Sequence, residues 1–184
     1  MTDVIESFWL SSTKKSKPTQ LQRYEQNESP ECVRKFIAIG GGPRMGVTLE
    51  EFARFKFSIL KTRGCGENTG FDHTFTVKDK VILVEQKSSG YWRNNKKDDF
   101  KWQHIEVDHK WNMLLLCGIE YQDVKFWAMN RKTFDALVAS NKITNQGNKK
   151  KQSSEGHWVW YSDIKDHVTL IETNADLQKF AETV

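Results

Sequence analysis

Two acidic residues and one lysine are placed so that they could do chemistry together. The apolar run Val81-Ile82-Leu83-Val84 continues directly into Glu85-Gln86-Lys87. A run of this length, rich in β-branched residues, is typical of a strand inside a sheet. Because side chains alternate along a strand, Glu85 and Lys87 point to one face and Gln86 to the other. Charged groups at the end of a buried strand are costly unless they are paired or used.

A second strand brings another carboxylate to the same place. Residues 71–77 and 81–87 predict two strands joined by Lys78-Asp79-Lys80 in a short hairpin, which places Asp72 near Glu85. Two neighbouring carboxylates repel each other unless a cation lies between them. Oxygen ligands of this kind suit Mg²⁺, which also accepts phosphate as a ligand. With Lys87 to activate water or to neutralise a phosphate, the residues predict metal-assisted phosphodiester hydrolysis.

The elements around this hairpin predict a mixed α/β fold with a central sheet. Residues 48–61 predict a helix in which Thr48 is the N-cap and Glu51 completes a capping box. The expected elements that follow the hairpin are a polar loop at 88–99, a long helix at 100–117, a strand at 123–129, a helix at 131–140, a flexible loop at 141–156, strands at 157–163 and 167–172, and a last helix capped by Asn174.

Asp72, followed by Glu85-Gln86-Lys87 on the next strand, resembles the PD-(D/E)xK nuclease superfamily, which includes most restriction endonucleases. In that fold a helix precedes the hairpin, and a helix and a strand follow it. The resemblance covers residues 46–140, and Glu85-Gln86-Lys87 is the only E-x-K in the chain. It implies an α/β (mixed α+β) fold, a restriction-endonuclease-like central mixed β-sheet flanked by helices. It also implies metal binding by Asp72 and Glu85 and catalysis by Lys87. The family often has proline before the first acid, and here Phe71 stands there.

Four further residues near the motif are considered for a role in the site. A third catalytic acid often comes from the helix before the hairpin, where Glu51 is the better candidate and Glu50 the weaker, although the capping box already explains Glu51. His73 should point to the opposite face from Asp72 and is expected to be structural or to contact DNA. Gln103 resembles a polar residue that some of these nucleases place near the site, and its alternative is a solvated glutamine.

The segment Gly41–Thr48 nearly matches the phosphate-binding loop G-x-x-x-x-G-K-[ST]. Val47 stands where the lysine must be, and an aliphatic side chain cannot replace that lysine at the phosphates. We therefore expect a tight turn here, with backbone N–H groups available to a DNA phosphate.

The predicted polar loop at 88–99 and the predicted flexible loop at 141–156 are expected to clamp double-stranded DNA. They offer lysine and arginine for phosphates, an aromatic pair that could stack or wedge, and amide and hydroxyl groups that read base edges. The alternative for each basic cluster is solvated surface lysine. The predicted DNA-binding residues are Tyr91, Trp92, Arg93, Lys96, Lys97, Asn148, Lys149, Lys150 and Lys151.

Length and composition favour one intracellular domain. The 184 residues carry a net charge of +4, and 38% of them are hydrophobic, which is ordinary for a globular protein. No apolar stretch has the length of a membrane span. The three scattered cysteines and an N-terminus without signal-peptide features predict a reduced, cytoplasmic protein. We expect a single nuclease domain at 1–184, with a loosely ordered arm at 1–30, a catalytic core at 46–140 and a C-terminal loop, strands and helix at 141–184.

These features predict a Mg²⁺-dependent endonuclease that hydrolyses double-stranded DNA, in the first place a sequence-specific type II restriction enzyme. Cutting both strands of a palindrome would require a homodimer with two-fold symmetry. One alternative is a junction-resolving or DNA-repair nuclease of the same fold, which reads DNA shape. The other is a non-catalytic DNA-binding module in which the hairpin acids are structural.

Overall fold

A large mixed β-sheet forms the centre of the fold. The computed structural model describes residues 19–40, 42–63, 70–146 and 156–184. The helices in these ranges are α1 (Gln20–Gln26), α2 (Glu31–Ala38), α3 (Gly42–Lys56), α4 (Arg131–Ala139), α5 (Tyr161–Ile164) and α6 (Asn174–Ala181), and a 3-10 turn spans Lys165–His167. The strands are β1 (Lys61–Thr62), β2 (His73–Val77), β3 (Lys80–Asn94), β4 (Lys97–Ile105), β5 (Met113–Ile119), β6 (Val124–Asn130), β7 (Thr144–Asn145), β8 (His157–Trp160) and β9 (Thr169–Ile171).

Strand β3 changes partners along its length. Its first part pairs antiparallel with β2, from Lys80 to Val84, and its last part pairs antiparallel with β4, from Tyr91 to Asn94. Residues 84–90 pair in parallel with β5. On the edge away from β5, residues 85–90 therefore have no strand partner in the described ranges. We call this stretch, where β2 and β4 separate, the fork.

The sheet is covered on both faces. One core combines the sheet with α1, α2, α3 and α6, and the other combines it with α4, α5 and β4. All seven residues of β5 are buried, and they alternate between the two cores, as expected for a central strand paired in parallel. The chain is therefore a mixed α/β protein with a mixed sheet flanked by helices, as the sequence predicted.

The predicted hairpin before the fork is confirmed. Strands β2 and β3 pair in register from His73 opposite Val84 to Val77 opposite Lys80. The two turn residues, Lys78 and Asp79, have φ values of 48° and 63°, as the favoured two-residue hairpin turn requires. The predicted strand at 123–129 and the helix that follows it are also present, as β6 and α4.

The long helix predicted for residues 100–117 is wrong. This segment contains most of β4, a loop at 106–112 and most of β5. Phe100, Trp102 and Ile105 are buried against the second core, while Lys101 and Gln103 between them are partly exposed. That alternation has the period of a strand. Because β4 and β5 lie on opposite sides of β3, the loop crosses the sheet where the resemblance would place a helix.

The polar loop predicted for residues 88–99 is also wrong. Strand β3 continues to Asn94, and β4 begins at Lys97. The turn residues Asn95 and Lys96 have φ values of 48° and 69°, so the polar stretch forms a second tight hairpin.

The helix expected from Thr48 begins earlier, at Gly42, so the tight turn predicted for Gly41–Thr48 is wrong in the part that the structure describes. Residue 41 lies outside that part. Thr48 is inside α3, where its hydroxyl donates to the Arg44 carbonyl at 3.1 Å, and it does not cap the helix. The last helix begins at Asn174, but its N-cap is Thr173, which forms a capping box with Asp176.

The predicted N-terminal arm is ordered where the structure describes it, from Thr19 onward. Helix α1 has a complete capping box between Thr19 and Gln22, and Tyr24 is fully buried in the first core. Two of the cysteines, Cys32 and Cys117, are free thiols, and Cys65 lies outside the described residues. Among the helices of the described ranges, none is long and apolar enough to cross a membrane.

Candidate active site

A cavity of about 630 Å³ opens at the fork. Glu50 of α3, Asp72 before β2 and Lys87 of β3 line it. The far wall comes from the first turns of α3 and from β4. The cavity therefore contains the predicted acid Asp72 and the predicted lysine Lys87. It also contains Glu50, which was the weaker of the two candidates for a third acid.

Two hydrogen bonds fix Asp72 directly before the first residue of β2. Its backbone N–H donates to the Val84 carbonyl at 2.8 Å, and its Oδ2 accepts the Gln86 backbone N–H at 2.7 Å. The other carboxylate oxygen, Oδ1, has no hydrogen-bond partner in the described parts of the chain. One oxygen of Asp72 is thus structural, and the other is available to a ligand.

Glu85 and Lys87 form a close ion pair, with 2.5 Å between Lys87 Nζ and Glu85 Oε1. Glu85 is only 4% exposed, and it lies behind Lys87 rather than in the cavity wall. Burial raises the pKa of the Glu85 carboxyl; the Lys87 charge opposes this, and the Asp72 carboxylate adds to it. Glu85 lies near Asp72, as predicted, but one of the two carboxylate oxygens of Glu85 is paired with Lys87.

Helix α3 presents Glu50, not Glu51, to the cavity. Glu51 is exposed, whereas Glu50 is half-buried and lines the cavity. Neither oxygen of Glu50 has a hydrogen-bond or ion-pair partner in the described ranges. Burial and the nearby Asp72 carboxylate, with a smaller contribution from Glu85, raise the pKa of Glu50 to about 7. Three carboxylates thus lie close together, with Lys87 directly paired to one of them.

His73 has the structural role that was one of its two predicted roles. It is fully buried, so it cannot contact DNA. Its Nδ1 lies 3.2 Å from Arg54 Nη1, and its Nε2 lies 2.9 Å from Gln86 Oε1. Burial lowers the pKa of His73, which favours the neutral ring. His73 therefore fixes β2 to β3 and to α3 beneath the cavity.

The predicted DNA-binding residues of the second hairpin separate into two groups. Tyr91 is unavailable to a base because its ring stacks on Phe100, with 4.6 Å between centroids and 12° between planes. Trp92 is 47% exposed and lines the cavity. Arg93, Lys96 and Lys97 are exposed at the hairpin tip, where Arg93 pairs with an acid of β4. The other predicted residues, Asn148, Lys149, Lys150 and Lys151, lie outside the described residues.

Three further parts of the cavity wall are Gln103, the start of α3 and Lys101. Gln103 lines the cavity from β4, although its predicted helix is absent. The start of α3, from Gly42 to Val47, also lines it and brings backbone N–H groups of a helix N-terminus to the wall. Lys101 was missed, and only its alternation with Phe100 and Trp102 could have placed it on the exposed face of a strand.

A second group of potential ligands lies on the loop that crosses the sheet. Ligand atoms of Glu106, Asp108 and His109 lie within 4.8 Å of one another. His109 Nε2 is 3.1 Å from Glu106 Oε2, so a direct contact between these two side chains explains why they lie close together. We assign no metal to it.

Comparison of the chain with models of known protein families gives no match, and comparison with curated proteins gives none either.

Proposed function

We propose that the chain is a Mg²⁺-dependent endonuclease that hydrolyses phosphodiester bonds of double-stranded DNA. The observation that supports this most is the cavity at the fork, where Glu50, Asp72 and Lys87 meet. The resemblance of Asp72 and Glu85-Gln86-Lys87 to the PD-(D/E)xK motif implies the same reaction. The fold departs from that family where a sheet-crossing loop replaces the helix after the hairpin.

The carboxylates fit a divalent cation. Glu50 and the Oδ1 of Asp72 have no protein partner in the described ranges, and burial together with the nearby Asp72 carboxylate raises the pKa of Glu50. Oxygen ligands of this type suit Mg²⁺. Glu50 and Asp72 would hold the ion, and Glu85 would join them through the oxygen that Lys87 leaves free. The ion would supply Lewis-acid polarisation of the phosphate and a lower pKa for water.

Lys87 is the residue that we propose to act on the phosphate. Its Nζ can donate to a phosphate oxygen or orient the attacking water, while Glu85 keeps the ammonium group in position. The N-terminus of α3 favours an anion at the opposite wall. The proposed substrate phosphate therefore lies between α3 and β3.

The first test is cleavage of long unmethylated duplex DNA with Mg²⁺ or with EDTA. The wild-type protein should give Mg²⁺-dependent products, and the Lys87→Ala and Glu85→Gln variants should give none. Lys132→Ala, on the exposed side of α4, is the matched control and should cut normally. Absence of cleavage of linear, branched and single-stranded DNA by the folded wild-type protein would refute the proposal and favour a DNA-binding module.

The product pattern separates the types of nuclease. Discrete fragments from linear duplex indicate a sequence-specific type II restriction enzyme, which would act as a homodimer to cut both strands. Cleavage limited to branched or mismatched DNA indicates a junction-resolving or repair nuclease. An exposed aromatic surface beside the cavity favours this second candidate.

A further inference from the structure

Three tryptophans and one lysine form a partly exposed surface on β3, β4 and β8. We call it the tryptophan surface, and its members are Trp92, Lys101, Trp158 and Trp160. Lys101 Nζ lies 4.6 Å from the ring centroid of Trp158, 5.5 Å from that of Trp160 and 5.9 Å from that of Trp92. The rings of Trp158 and Trp160 lie 6.1 Å apart at 86°.

Strand pairing explains why these residues share one face. Lys101 lies opposite Trp160, and Trp102 lies opposite Val159. Trp102 and Val159 point into the second core, so the alternate residues point away from it. Trp92 is 47% exposed on the neighbouring strand. Contiguous exposed apolar patches commonly mark interaction sites, whereas single exposed apolar residues do not.

The tryptophan surface is continuous with the candidate active site. Trp92 and Lys101 line the same cavity as Asp72 and Lys87. Lys101 has no ion-pair partner among the residues that the structure describes, so its positive charge is held by aromatic rings and is not neutralised by an acid. An occupant of this surface should therefore combine flat aromatic groups with negative charge, as a nucleic-acid strand does.

We propose that the tryptophan surface binds unpaired nucleotides of a DNA strand that leaves the cavity. The preferred substrate would then be a duplex with a single-stranded segment beside the bond that is cut. This inference rests on the proposed endonuclease function and specifies its substrate. Indole rings stack on bases of any sequence, and Lys101 contacts a phosphate. Bases inside a regular duplex cannot offer a face to these rings unless they leave the stack.

The test measures binding without cleavage. The full chain with Lys87→Ala, in EDTA, is titrated against a labelled blunt duplex and against the same duplex with about six unpaired nucleotides. We expect at least about fivefold tighter binding of the extended duplex, from stacking of one or more bases. Trp92→Ala should remove this preference. Phe55→Ala, which alters a side chain of α3 that is 87% exposed, is the matched control and should keep it.

A second pair of variants separates stacking from folding. Trp158→Ala should weaken the preference, whereas Trp158→Phe keeps an aromatic face and should retain most of it. Equal affinity for the two DNAs, or a preference that survives Trp92→Ala, would overturn the proposal and leave the surface to a protein partner. Cleavage of blunt duplex with Mg²⁺ but no binding preference would refute this inference alone. A preference without any cleavage would refute only the nuclease.

Discussion

Replacing Glu50 by glutamine should stabilise the metal-free protein at alkaline pH and remove its response to Mg²⁺. The folded protein holds the pKa of Glu50 at about 7, above its ordinary value of 4.5, because the carboxyl group is partly buried near Asp72. The folded state therefore binds the proton more tightly than the unfolded state. The stabilisation from the protonated carboxyl is complete below the unfolded pKa and is lost as pH rises through about 7.

The size of the effect follows from the shift in the pKa of Glu50. Each pKa unit corresponds to about 1.4 kcal/mol of free energy. Because the side chain is only half-buried and water screens its charge, we take roughly half of the full figure, about 1–2 kcal/mol. Glutamine resembles the protonated carboxyl and never ionises. The Glu50→Gln variant should thus match the wild type near pH 4.5 and exceed its free energy of unfolding by about 1–2 kcal/mol near pH 8.

The assay is urea denaturation followed by tryptophan fluorescence in EDTA at both pH values, repeated with Mg²⁺. Mg²⁺ should stabilise the wild type at the higher pH, because a ligand of the folded state shifts the equilibrium, and should stabilise Glu50→Gln much less. Glu51→Gln is the matched control, one residue along the same helix and exposed. If Glu50→Gln and Glu51→Gln behave alike at the higher pH, Glu50 does not belong to an acidic cluster and the reasoning is refuted.

Three other variants test the cavity and the sheet. Gly46→Ala should raise the stability of α3 by about 0.5–1 kcal/mol, because alanine is the better helix former and its methyl group meets no atom within 4 Å. The same methyl group enters space beside the cavity, so cleavage should fall. Unchanged cleavage would contradict this. Gly118→Ala should lower the free energy of unfolding by about 1–3 kcal/mol, because its Cβ would lie 2.8 Å from the rings of Phe100 and Trp127; a wild-type urea midpoint would contradict this. Asp72→Asn should fold normally and lose Mg²⁺-dependent stabilisation, while Asp72→Ala should also unfold at lower urea; equal midpoints would contradict this.

Local pattern was sufficient to predict the hairpin that carries the motif. The apolar run at 81–84, the alternation that follows it and the polar turn at Lys78 and Asp79 are all short-range features, and they place Asp72 beside Glu85. The mixed α/β class followed from the order of such segments. These parts of the fold depend on few contacts between residues distant in sequence.

The strands β4 and β5 could not be predicted in this way. Residues 100–117 are rich in apolar side chains, which suits a buried helix as well as two strands. The choice depends on β5 pairing in parallel with β3 and on both of its faces being covered. Those contacts join residues far apart in the chain. Tertiary packing therefore decides the secondary structure here.

The carboxylate of α3 that lines the cavity is Glu50, one residue before the favoured candidate Glu51, and this difference has a physical reason. Thr48 and Glu51 have the sequence of a capping box, so the helix was expected to begin there. Residues 40–47 contain four glycines, which are poor helix formers, and one proline, which is tolerated only in the first turn of a helix. Helix α3 nevertheless extends to Gly42. Neighbouring helical positions differ by about 100° in direction, so only one of Glu50 and Glu51 can face the fork.

The fork itself depends on side chains that replace a missing strand. Backbone N–H groups of residues 85–90 need acceptors where β2 and β4 separate, since buried N–H groups are almost always hydrogen-bonded. Asp72 Oδ2 accepts from Gln86 N at 2.7 Å, and Ser89 Oγ accepts from Lys101 N at 3.2 Å on the β4 side. The same Asp72 carboxylate thus keeps the edge of β3 satisfied and offers its second oxygen to the cavity. The hydrogen bond at the edge of β3 and the proposed metal ligand therefore both depend on the Asp72 side chain. A substitution can separate the two only if it keeps the oxygen that accepts from Gln86 N.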